Sequence, residues 1–328
     1  MNTSLVGERN GRPLKVLVVG AGAIGAFYGG KLSQAGAEVS VVCRSDYETV
    51  KERGYQISSI MGNFEFVPSR VLKSAEEFDD DADFVFVTLK VLPEINPVEL
   101  ARPAIRANTS IVLLQNGIDI EEPVARAFPD NKLISGLAFT CVNRTAPGKV
   151  NHLDYGRLVI GVYPRGTSME TKTLAKAFNQ AGIPCKEDED IVKARWQKLI
   201  WNAPFNPISV LGGGIDTETI LDQEETAMLT RRVMEEVRVI ATSEGHTLDE
   251  SIVDQNINDT IKMKPYKTSM LLDYEAKRPM EVEAILGNAI KIAKKNGVFA
   301  CHMQTLYALL KSVDNKLRTQ TTTPEDNK

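Results

Sequence analysis

A run of apolar residues near the start of the chain leads into a glycine pattern that few folds require. Residues 14–19 have the composition of a buried strand, and Gly-Ala-Gly-Ala-Ile-Gly follows at residues 20–25 before a helical pattern begins. In such a turn the glycines allow a tight bend, close approach to a pyrophosphate and close helix–strand packing. The helix N-terminus adds free N–H groups for the phosphates. The expected dinucleotide-binding residues are Gly20, Gly22, Ala23, Ile24 and Gly25; the alternative is a glycine-rich turn without a ligand.

The end of the next predicted strand indicates which dinucleotide is bound. Residues 37–43 are apolar and β-branched, and Arg44 and Ser45 follow where NAD-binding folds usually have Asp or Glu for the ribose 2′-hydroxyl. A guanidinium and a hydroxyl suit a 2′-phosphate instead. We therefore expect NADPH as the cofactor, with Arg44 on the 2′-phosphate. Two alternatives remain open, because Arg44 can be a solvated surface charge and Asp46 is close enough to serve a ribose.

Composition excludes several classes of function. The 328 residues carry a formal net charge of −4 and show no basic stripe, which argues against a nucleic-acid surface. No apolar run approaches the ~20 residues that span a bilayer, so no membrane partner is expected. The four cysteines are scattered, as in a reduced cytoplasmic protein, and no metal-ligand spacing is visible. The oligomeric state stays open, with a homodimer as one candidate.

The chain changes character at about residue 188. Strands alternate with helices in the first part, which predicts a parallel α/β sheet, and residues 149–161 suggest an antiparallel hairpin turning at Asp154-Tyr155-Gly156. After Asp190 the periodicity is helical, including one helix at 191–211 and another at 216–244. We expect a dinucleotide-binding domain over 14–188, a helical substrate domain over 189–318, and flexible tails at 1–13 and 319–328.

Two polar residues follow predicted strands of the first part. Lys90 closes the strand at 84–89 and offers donors to ribose hydroxyls or to a charged substrate. Asn116 follows the strand at 110–114 and offers both a donor and an acceptor, as a contact to the nicotinamide ribose needs. The alternative for Asn116-Gly117 is a plain turn, for which Asn-Gly is a strong signal.

One predicted helix carries three polar residues on a single face. Lys198, Asn202 and Asn206 are spaced i, i+4 and i+8 among strongly apolar neighbours, which favours a polar site in a dry surrounding. The alternative is a lysine that reaches water beside two ordinary amides. The three histidines lack convincing partners, so no His–Asp pair is available as acid and base, and a lysine is the expected proton donor.

A third group of polar residues lies further along the helical part. Ser269 shares a helix face with Asp273, and Glu281 precedes an apolar helix. Spacing alone leaves the role of Glu281 open between a functional carboxylate and a first-turn acid of that helix.

Taken together, these motifs resemble the ketopantoate reductase (2-dehydropantoate 2-reductase) family over roughly residues 14–316. The resemblance implies a Rossmann domain followed by an all-helical domain, NADPH as cofactor, and reduction of 2-dehydropantoate to pantoate in the pantothenate pathway. It further implies that Lys198 is the general acid and that Glu281 orients Lys198 and the substrate hydroxyl. The residues implied to bind substrate are Asn202, Asn206 and Ser269, and those implied at the nicotinamide ribose are Lys90 and Asn116.

The chain departs from the family pattern in two places. Many members have Thr-Glu-x-Asp where this chain has Met280-Glu281-Val282-Glu283, and many have a Pro-x-x-Thr-like segment where it has residues 299–305. Both departures lie in the predicted substrate domain. They leave cofactor binding alone but weaken the assignment of 2-dehydropantoate as the substrate. The alternatives to the leading function are an NADPH-dependent reductase or dehydrogenase of another small 2-oxo, hydroxy or imino acid, and a dinucleotide-sensing protein without turnover.

Overall fold

The computed structural model describes residues 8–9 and 11–321, and its contacts divide the chain into two compact units. The first consists of Met1–Lys90, Glu94–Gln115 and Ile120–Ile191. The second consists of Val91–Pro93, Asn116–Asp119 and Val192–Lys328. The change of unit therefore comes slightly later than the expected boundary, and two short segments that follow strands of the first unit belong to the second.

The described ends of the chain have regular structure where flexible tails were expected. Glu8–Arg9 pairs antiparallel with Arg12–Pro13, and the last helix continues to Thr321. The rest of the expected tails, residues 1–7, 10 and 322–328, lies outside the described residues.

The first unit is built on one sheet formed by ten of the described strands. The strands of the chain are β1 (Glu8–Arg9), β2 (Arg12–Pro13), β3 (Lys15–Val19), β4 (Glu38–Val42), β5 (Tyr55–Ser59), β6 (Phe64–Phe66), β7 (Arg70–Leu72), β8 (Phe84–Val87), β9 (Ser110–Leu114), β10 (Leu133–Ala146), β11 (Lys149–Val162) and β12 (Cys185–Glu187). The helices of the first unit are α1 (Ala23–Gln34), α2 (Tyr47–Arg53), α3 (Pro97–Ala101), α4 (Glu122–Ala127) and α5 (Met169–Gln180).

Strand order identifies the fold of this unit. Six strands run parallel in the order β7-β4-β3-β8-β9-β10. Numbered along the chain, that is the 3-2-1-4-5-6 order of the dinucleotide-binding fold, in which the order reverses between β3 and β8. Apolar side chains are buried on both faces of the sheet, with α1 and α5 contributing to one core and α3 and α4 to the other. This confirms the predicted Rossmann domain.

The predicted hairpin at 149–161 is wrong. Residues 149–162 form the single strand β11, whose antiparallel partner is β10, and the chain reverses between Ala146 and Lys149. Tyr155 and Gly156 have positive φ angles of 59° and 121°, and the register shifts opposite them. The Tyr-Gly signal therefore marks a bulge within a long strand, because a glycine in a strand can absorb an irregular backbone without reversing it.

The second unit is helical, as predicted. Its helices are α6 (Ile191–Leu211), α7 (Thr217–Asp222), α8 (Glu224–Ser243), α9 (Ile252–Ile261), α10 (Ser269–Glu275), α11 (Asn288–Lys295) and α12 (Cys301–Thr321). A π-helical turn, Glu283–Gly287, precedes α11. The apolar faces of α6, α8, α11 and α12 form one core. The bounds predicted for α6 are confirmed, and that helix runs unbroken through Pro204 and Pro207.

Candidate active site

Two of the glycines after β3 are required by the packing of the protein itself. Gly20 has a φ of +93°, and a Cβ there would lie 2.6 Å from Leu89 Cδ2. A Cβ on Gly25 would lie 2.6 Å from Thr88 Oγ1 and 2.8 Å from Val18 Cγ1. Both distances are far below contact distance, so these positions bring β3, β8 and α1 into close approach.

Gly22 has no such structural requirement. Its φ of −75° suits any residue, and the nearest heavy atom to a Cβ there would be Gly20 O at 4.0 Å. Gly22 is the N-cap of α1 and provides no side-chain cap, so the first N–H groups of the helix lack intrahelical partners. An open space in front of unpaired N–H groups fits a pyrophosphate, and the residues present therefore fit a dinucleotide.

Asp46, the alternative acceptor for the ribose hydroxyl, is already hydrogen-bonded within the protein. Its side chain is 3 % exposed and accepts hydrogen bonds from Arg144 Nη1, from Gly148 N at 3.1 Å and from Ser45 Oγ at 2.9 Å. Arg44 is exposed after β4, and Arg144 Nη1 also reaches Ser45 Oγ at 2.8 Å. The Arg144 guanidinium therefore contacts Ser45, the exposed Arg44 precedes Ser45 in the chain, and the nearby Asp46 carboxylate is buried. This arrangement suits an added phosphate better than a ribose hydroxyl.

The carboxyl ends of the central strands are tied together by side chains. Thr88 Oγ1 donates to Gly20 O at 2.8 Å, and Gln115 Nε2 donates to Leu89 O at 2.6 Å. Lys90 follows this segment and is half-buried. The ends of β3, β8 and β9 thus form one supported edge at the point where strand order reverses, which is where open α/β sheets bind their ligands.

Asn116 links the two residues with the strongest functional expectation. Its Oδ1 accepts a hydrogen bond of 2.9 Å from Lys198 Nζ, and its Nδ2 donates a long one of 3.4 Å to Glu281 Oε2. All three residues belong to the second unit. The amide therefore stands between an ammonium and a carboxylate, and its two ends match the two charges.

Glu281 does more than begin a helix. Its backbone carbonyl accepts from Ile285 N at 3.1 Å, as the start of a helix requires. Its carboxylate, however, accepts from Val91 N at 2.9 Å as well as from Asn116. These side-chain contacts reach residues far away in the sequence, which a first-turn acid acting only on its own helix would not need.

The Asn116-Gly117 segment packs against the π-helical turn at Ala284, which a plain turn would not do. Gly117 has a φ of +104°, and a Cβ there would lie 2.6 Å from Ala284 O, so only glycine allows this approach to the π-helical turn. Ile118 N donates to Ala284 O at 3.1 Å, and Asn288 Nδ2 donates to Ile118 O at 2.9 Å. The buried Arg195 donates to Gly117 O at 3.2 Å. These bonds hold the Asn116 backbone in place.

A pocket lies in the second unit. Its lining residues are Asn116, Asn206, Ser269, Met270, Asp273, Glu281 and Ile285. Asn206 is 3 % exposed, and its Oδ1 has no hydrogen-bond partner among the described residues. A buried, unpaired carbonyl oxygen costs about 1–3 kcal/mol unless a ligand or water satisfies it. The pocket therefore presents an acceptor that calls for a donor such as a substrate hydroxyl.

The remaining predicted substrate residues differ in position. Ser269 is exposed at the first turn of α10 and lines the pocket. Asn202 is buried on α6 but is not one of the lining residues. The sequence prediction of the site omitted three lining residues, Met270, Asp273 and Ile285. Of these, Asp273 had a usable signal in its spacing from Ser269.

The departing residues Met280 and Glu283 of the first segment, and the whole of the 299–305 segment, are absent from the lining of this pocket. Met280 is buried in the helical core, and its N–H donates to Asp314 Oδ1 at 2.8 Å. Glu283 accepts hydrogen bonds from Tyr307 Oη at 2.7 Å and Lys311 Nζ at 2.6 Å. Burial alone would raise the pKa of the Glu283 carboxyl, but hydrogen bonds from Lys311 and Tyr307 outweigh it and hold that pKa below its ordinary value.

Three other contributors to these sites were missed by the sequence interpretation. Val91 acts through its backbone N–H, which no residue type reveals. Arg195 and Arg144 act through contacts to residues that are distant in the sequence.

In the part of the chain that the structure describes, no helix is both long and apolar enough to cross a membrane.

Comparison with known proteins gives a consistent family. Residues 16–165 match the model described as "Ketopantoate reductase PanE/ApbA", and residues 190–314 match "Ketopantoate reductase PanE/ApbA C terminal". A 2-dehydropantoate 2-reductase of Nostoc sp. is 35% identical over 315 residues, covering 93% of this chain and 97% of the relative.

Solved structures show the same similarity. The crystal structure of 2-dehydropantoate 2-reductase from Methylococcus capsulatus is 49% identical, with a TM-score of 0.87 over 96% of this chain and 100% of that one. The corresponding structure from Geobacter metallireducens is 34% identical, with a TM-score of 0.86 over 91% of this chain and 99% of that one. The similarity therefore extends over both units.

Proposed function

The chain belongs to the ketopantoate reductase family, and from that premise we propose that it reduces 2-dehydropantoate to pantoate with NADPH, using Lys198 as the general acid. Membership makes the chain an oxidoreductase, which confirms the enzyme class expected from its sequence. The observation that carries the proposal is the chain of contacts from Lys198 through Asn116 to Glu281, the last two of which line a pocket.

The cofactor assignment rests on the first unit. The family uses NADPH, as the resemblance implied. The N–H groups at the start of α1 would bind the pyrophosphate, with Gly22 leaving room for it. Arg44 would hold the 2′-phosphate, and the burial of Asp46 against Arg144 supports a preference for NADPH over NADH. Bound NADPH supplies the hydride that adds to the C2 carbonyl carbon of the substrate.

Lys198 supplies the proton that completes the reduction. As the carbonyl carbon gains the hydride, its oxygen gains negative charge, and the Lys198 ammonium donates a proton to it to give the hydroxyl of pantoate. The ammonium also stabilises the developing oxyanion before transfer. Asn116 Oδ1 accepts a hydrogen bond from one of the three N–H groups of the ammonium. This bond orients the other two donors.

Glu281 is a positioning residue in this proposal. Its contact with Asn116 Nδ2 fixes the amide so that the carbonyl end faces Lys198. The hydrogen bond from Val91 N fixes the carboxylate in turn.

The lining of the pocket supports a polar substrate. It combines amide, hydroxyl and carboxylate side chains with the apolar Met270 and Ile285. Asn206 Oδ1 would accept from the substrate hydroxyl, and Ser269 would donate to its carboxylate. We propose that Asn202 also binds the substrate, because it lies on α6 one turn before Asn206.

The test is turnover with a panel of substrates. NADPH oxidation is followed with 2-dehydropantoate, with related 2-oxoacids that lack its hydroxyl, and with an imino acid, and the product is identified by mass spectrometry. We expect the highest kcat/KM with 2-dehydropantoate. A higher value for another acid would replace the substrate while keeping the reaction. NADPH binding without turnover of any compound would instead support a dinucleotide sensor.

A further inference from the structure

A second cluster of chemically active side chains lies in the helical unit. Cys301 and His302 begin α12, and Glu236 lies on α8. Among the described residues, these three have donor atoms close enough together to hold a metal ion. None of them lines the pocket described above.

We propose that Glu236, Cys301 and His302 form a zinc-binding site. The distances from Cys301 Sγ are 3.5 Å to His302 Nδ1 and 3.6 Å to Glu236 Oε1. With zinc bond lengths of roughly 2.3 Å to sulfur and 2.0 Å to nitrogen or oxygen, a tetrahedral site has sulfur–nitrogen and sulfur–oxygen edges of about 3.5 Å. Both sulfur distances therefore already match a tetrahedral zinc site.

The third edge needs only a small adjustment. His302 Nδ1 lies 2.7 Å from Glu236 Oε1, which is hydrogen-bond distance, whereas a tetrahedral site requires about 3.3 Å. An ion between the two atoms replaces the shared proton and separates them. The Glu236 side chain is 12 % exposed and that of His302 is 39 % exposed, so an ion and one water ligand can enter from solvent.

The other contacts of Glu236 are compatible with metal binding. Its Oε2 accepts from Met303 N at 2.8 Å and its Oε1 from His302 N at 3.0 Å, so the carboxylate also caps α12. Oε1 can ligate the ion while Oε2 keeps the cap, because a carboxylate has several acceptor positions. The cap alone would require no thiol and no imidazole at this place.

The donor set selects the kind of ion. One thiolate, one imidazole and one carboxylate suit Zn²⁺, whereas Mg²⁺ and Ca²⁺ require oxygen ligands. The sequence alone predicted no metal site, because Glu236 is 65 positions away from Cys301. Bound zinc would join α8 to the first turn of α12. That turn belongs to residues 299–305, where the chain departs from the family pattern.

Cobalt binding to the full-length chain tests the site, because a cobalt–thiolate bond gives an intense near-ultraviolet charge-transfer band. After treatment with a chelator, we expect the band to saturate at one Co²⁺ per chain and to disappear when Zn²⁺ is added. Cys301→Ser should abolish the band. Cys185→Ala is the matched control and should retain it, since burial raises the pKa of the Cys185 thiol to about 12 and keeps that thiol protonated.

A second variant tests the histidine. His302→Gln should weaken Zn²⁺ at least about 100-fold, because loss of a ligand exceeds the roughly 10- to 100-fold lost with an outer partner. Circular dichroism of each variant shows whether it is folded. The proposal is overturned if the wild type gives no thiolate band, if the band survives in Cys301→Ser, or if folded His302→Gln binds Zn²⁺ as the wild type does.

Discussion

Lys198 Nζ donates a 2.9 Å hydrogen bond to Asn116 Oδ1 across 82 positions of the sequence. Lys198 is half-buried on α6, and Asn116 is on a short segment that follows strand β9 but belongs to the helical unit. The bond gives the ammonium a fixed direction, which a lysine reaching freely into water would not have. Orientation of this kind is what a proton donor needs at the moment of transfer.

Replacing Lys198 with alanine should lower kcat by roughly 10²- to 10⁴-fold, the usual contribution of general acid catalysis. The Kd for NADPH should change little, since the residues proposed to bind the phosphates are in the first unit. Lys193→Ala, earlier on the same helix, is the control for loss of a positive charge. Steady-state kinetics and cofactor titration check the prediction, and a near-normal kcat for Lys198→Ala would exclude the acid role.

Replacing Arg44 with alanine should weaken NADPH by roughly 10- to 150-fold, corresponding to about 1.5–3 kcal/mol for charge-assisted hydrogen bonds. NADH should be almost unaffected because it has no 2′-phosphate. Arg126→Ala, in which an exposed arginine of the same unit is lost, should leave both cofactors unchanged. Equal losses for NADPH and NADH in Arg44→Ala would show that this residue does not recognise the phosphate.

The sequence predicted those parts of the molecule whose signals are local. The glycine turn, the parallel strands and the limits of α6 each depend on neighbouring residues, and the structure contains them. The segment predicted as one helix over 216–244 divides at Gln223, whose ψ of 124° is extended. No glycine or proline marks that break, so residue types alone did not reveal it.

The contacts at the candidate site depend on long-range partners. The sequence named Asn116, Lys198 and Glu281, but their mutual contacts require the 116–119 segment to dock on the π-helical turn at Ala284. The bond from Val91 N to Glu281 comes from the backbone and leaves no trace in residue type. The burial of Asp46 likewise depends on Arg144, on a strand far along the chain.

Substituting Gly22 and Gly25 separates ligand binding from packing. Gly25→Ala should destabilise the protein by roughly 1–3 kcal/mol, because its Cβ would overlap Thr88 and the Gly20 carbonyl. Gly22→Ala should change stability by about 1 kcal/mol or less, but should weaken NADPH at least about tenfold because the methyl group fills the pyrophosphate space. Urea unfolding and cofactor titration measure the two effects. Unchanged NADPH affinity in Gly22→Ala would contradict a pyrophosphate at this position.

Glu283→Gln should lower stability by about 1 kcal/mol at neutral pH, the net worth of hydrogen bonds to a partly exposed charge. Because Lys311 and Tyr307 hold the pKa of Glu283 below its ordinary 4.5, this stabilisation is fully present above that value. It is lost as the pH falls through the lower pKa of the folded state. Urea unfolding of both proteins over this range should show the difference shrinking with acidification. A constant difference would mean that Glu283 acts through packing.

Glu281→Gln tests the positioning role without changing the size of the side chain. The carboxylate accepts hydrogen bonds at both oxygens, from Val91 N and from Asn116 Nδ2. An amide accepts at only one end, so one of these donors must face the N–H₂ group of the glutamine. The expected result is a raised KM and a lowered kcat, because Asn116 loses its fixed orientation toward Lys198. Melting temperature should stay close to that of the wild type.

The matched control for this variant is Glu283→Gln, which removes the same charge two positions away and outside the pocket. Its kcat and KM should equal those of the wild type, so a kinetic effect confined to Glu281→Gln cannot come from net charge. A helix-capping role predicts the reverse result for Glu281→Gln, a stability loss of a few tenths of a kcal/mol with unchanged kinetics. Kinetics and thermal melting on the same preparations therefore separate the two roles. That reverse result would also remove the network on which the proposed proton transfer depends.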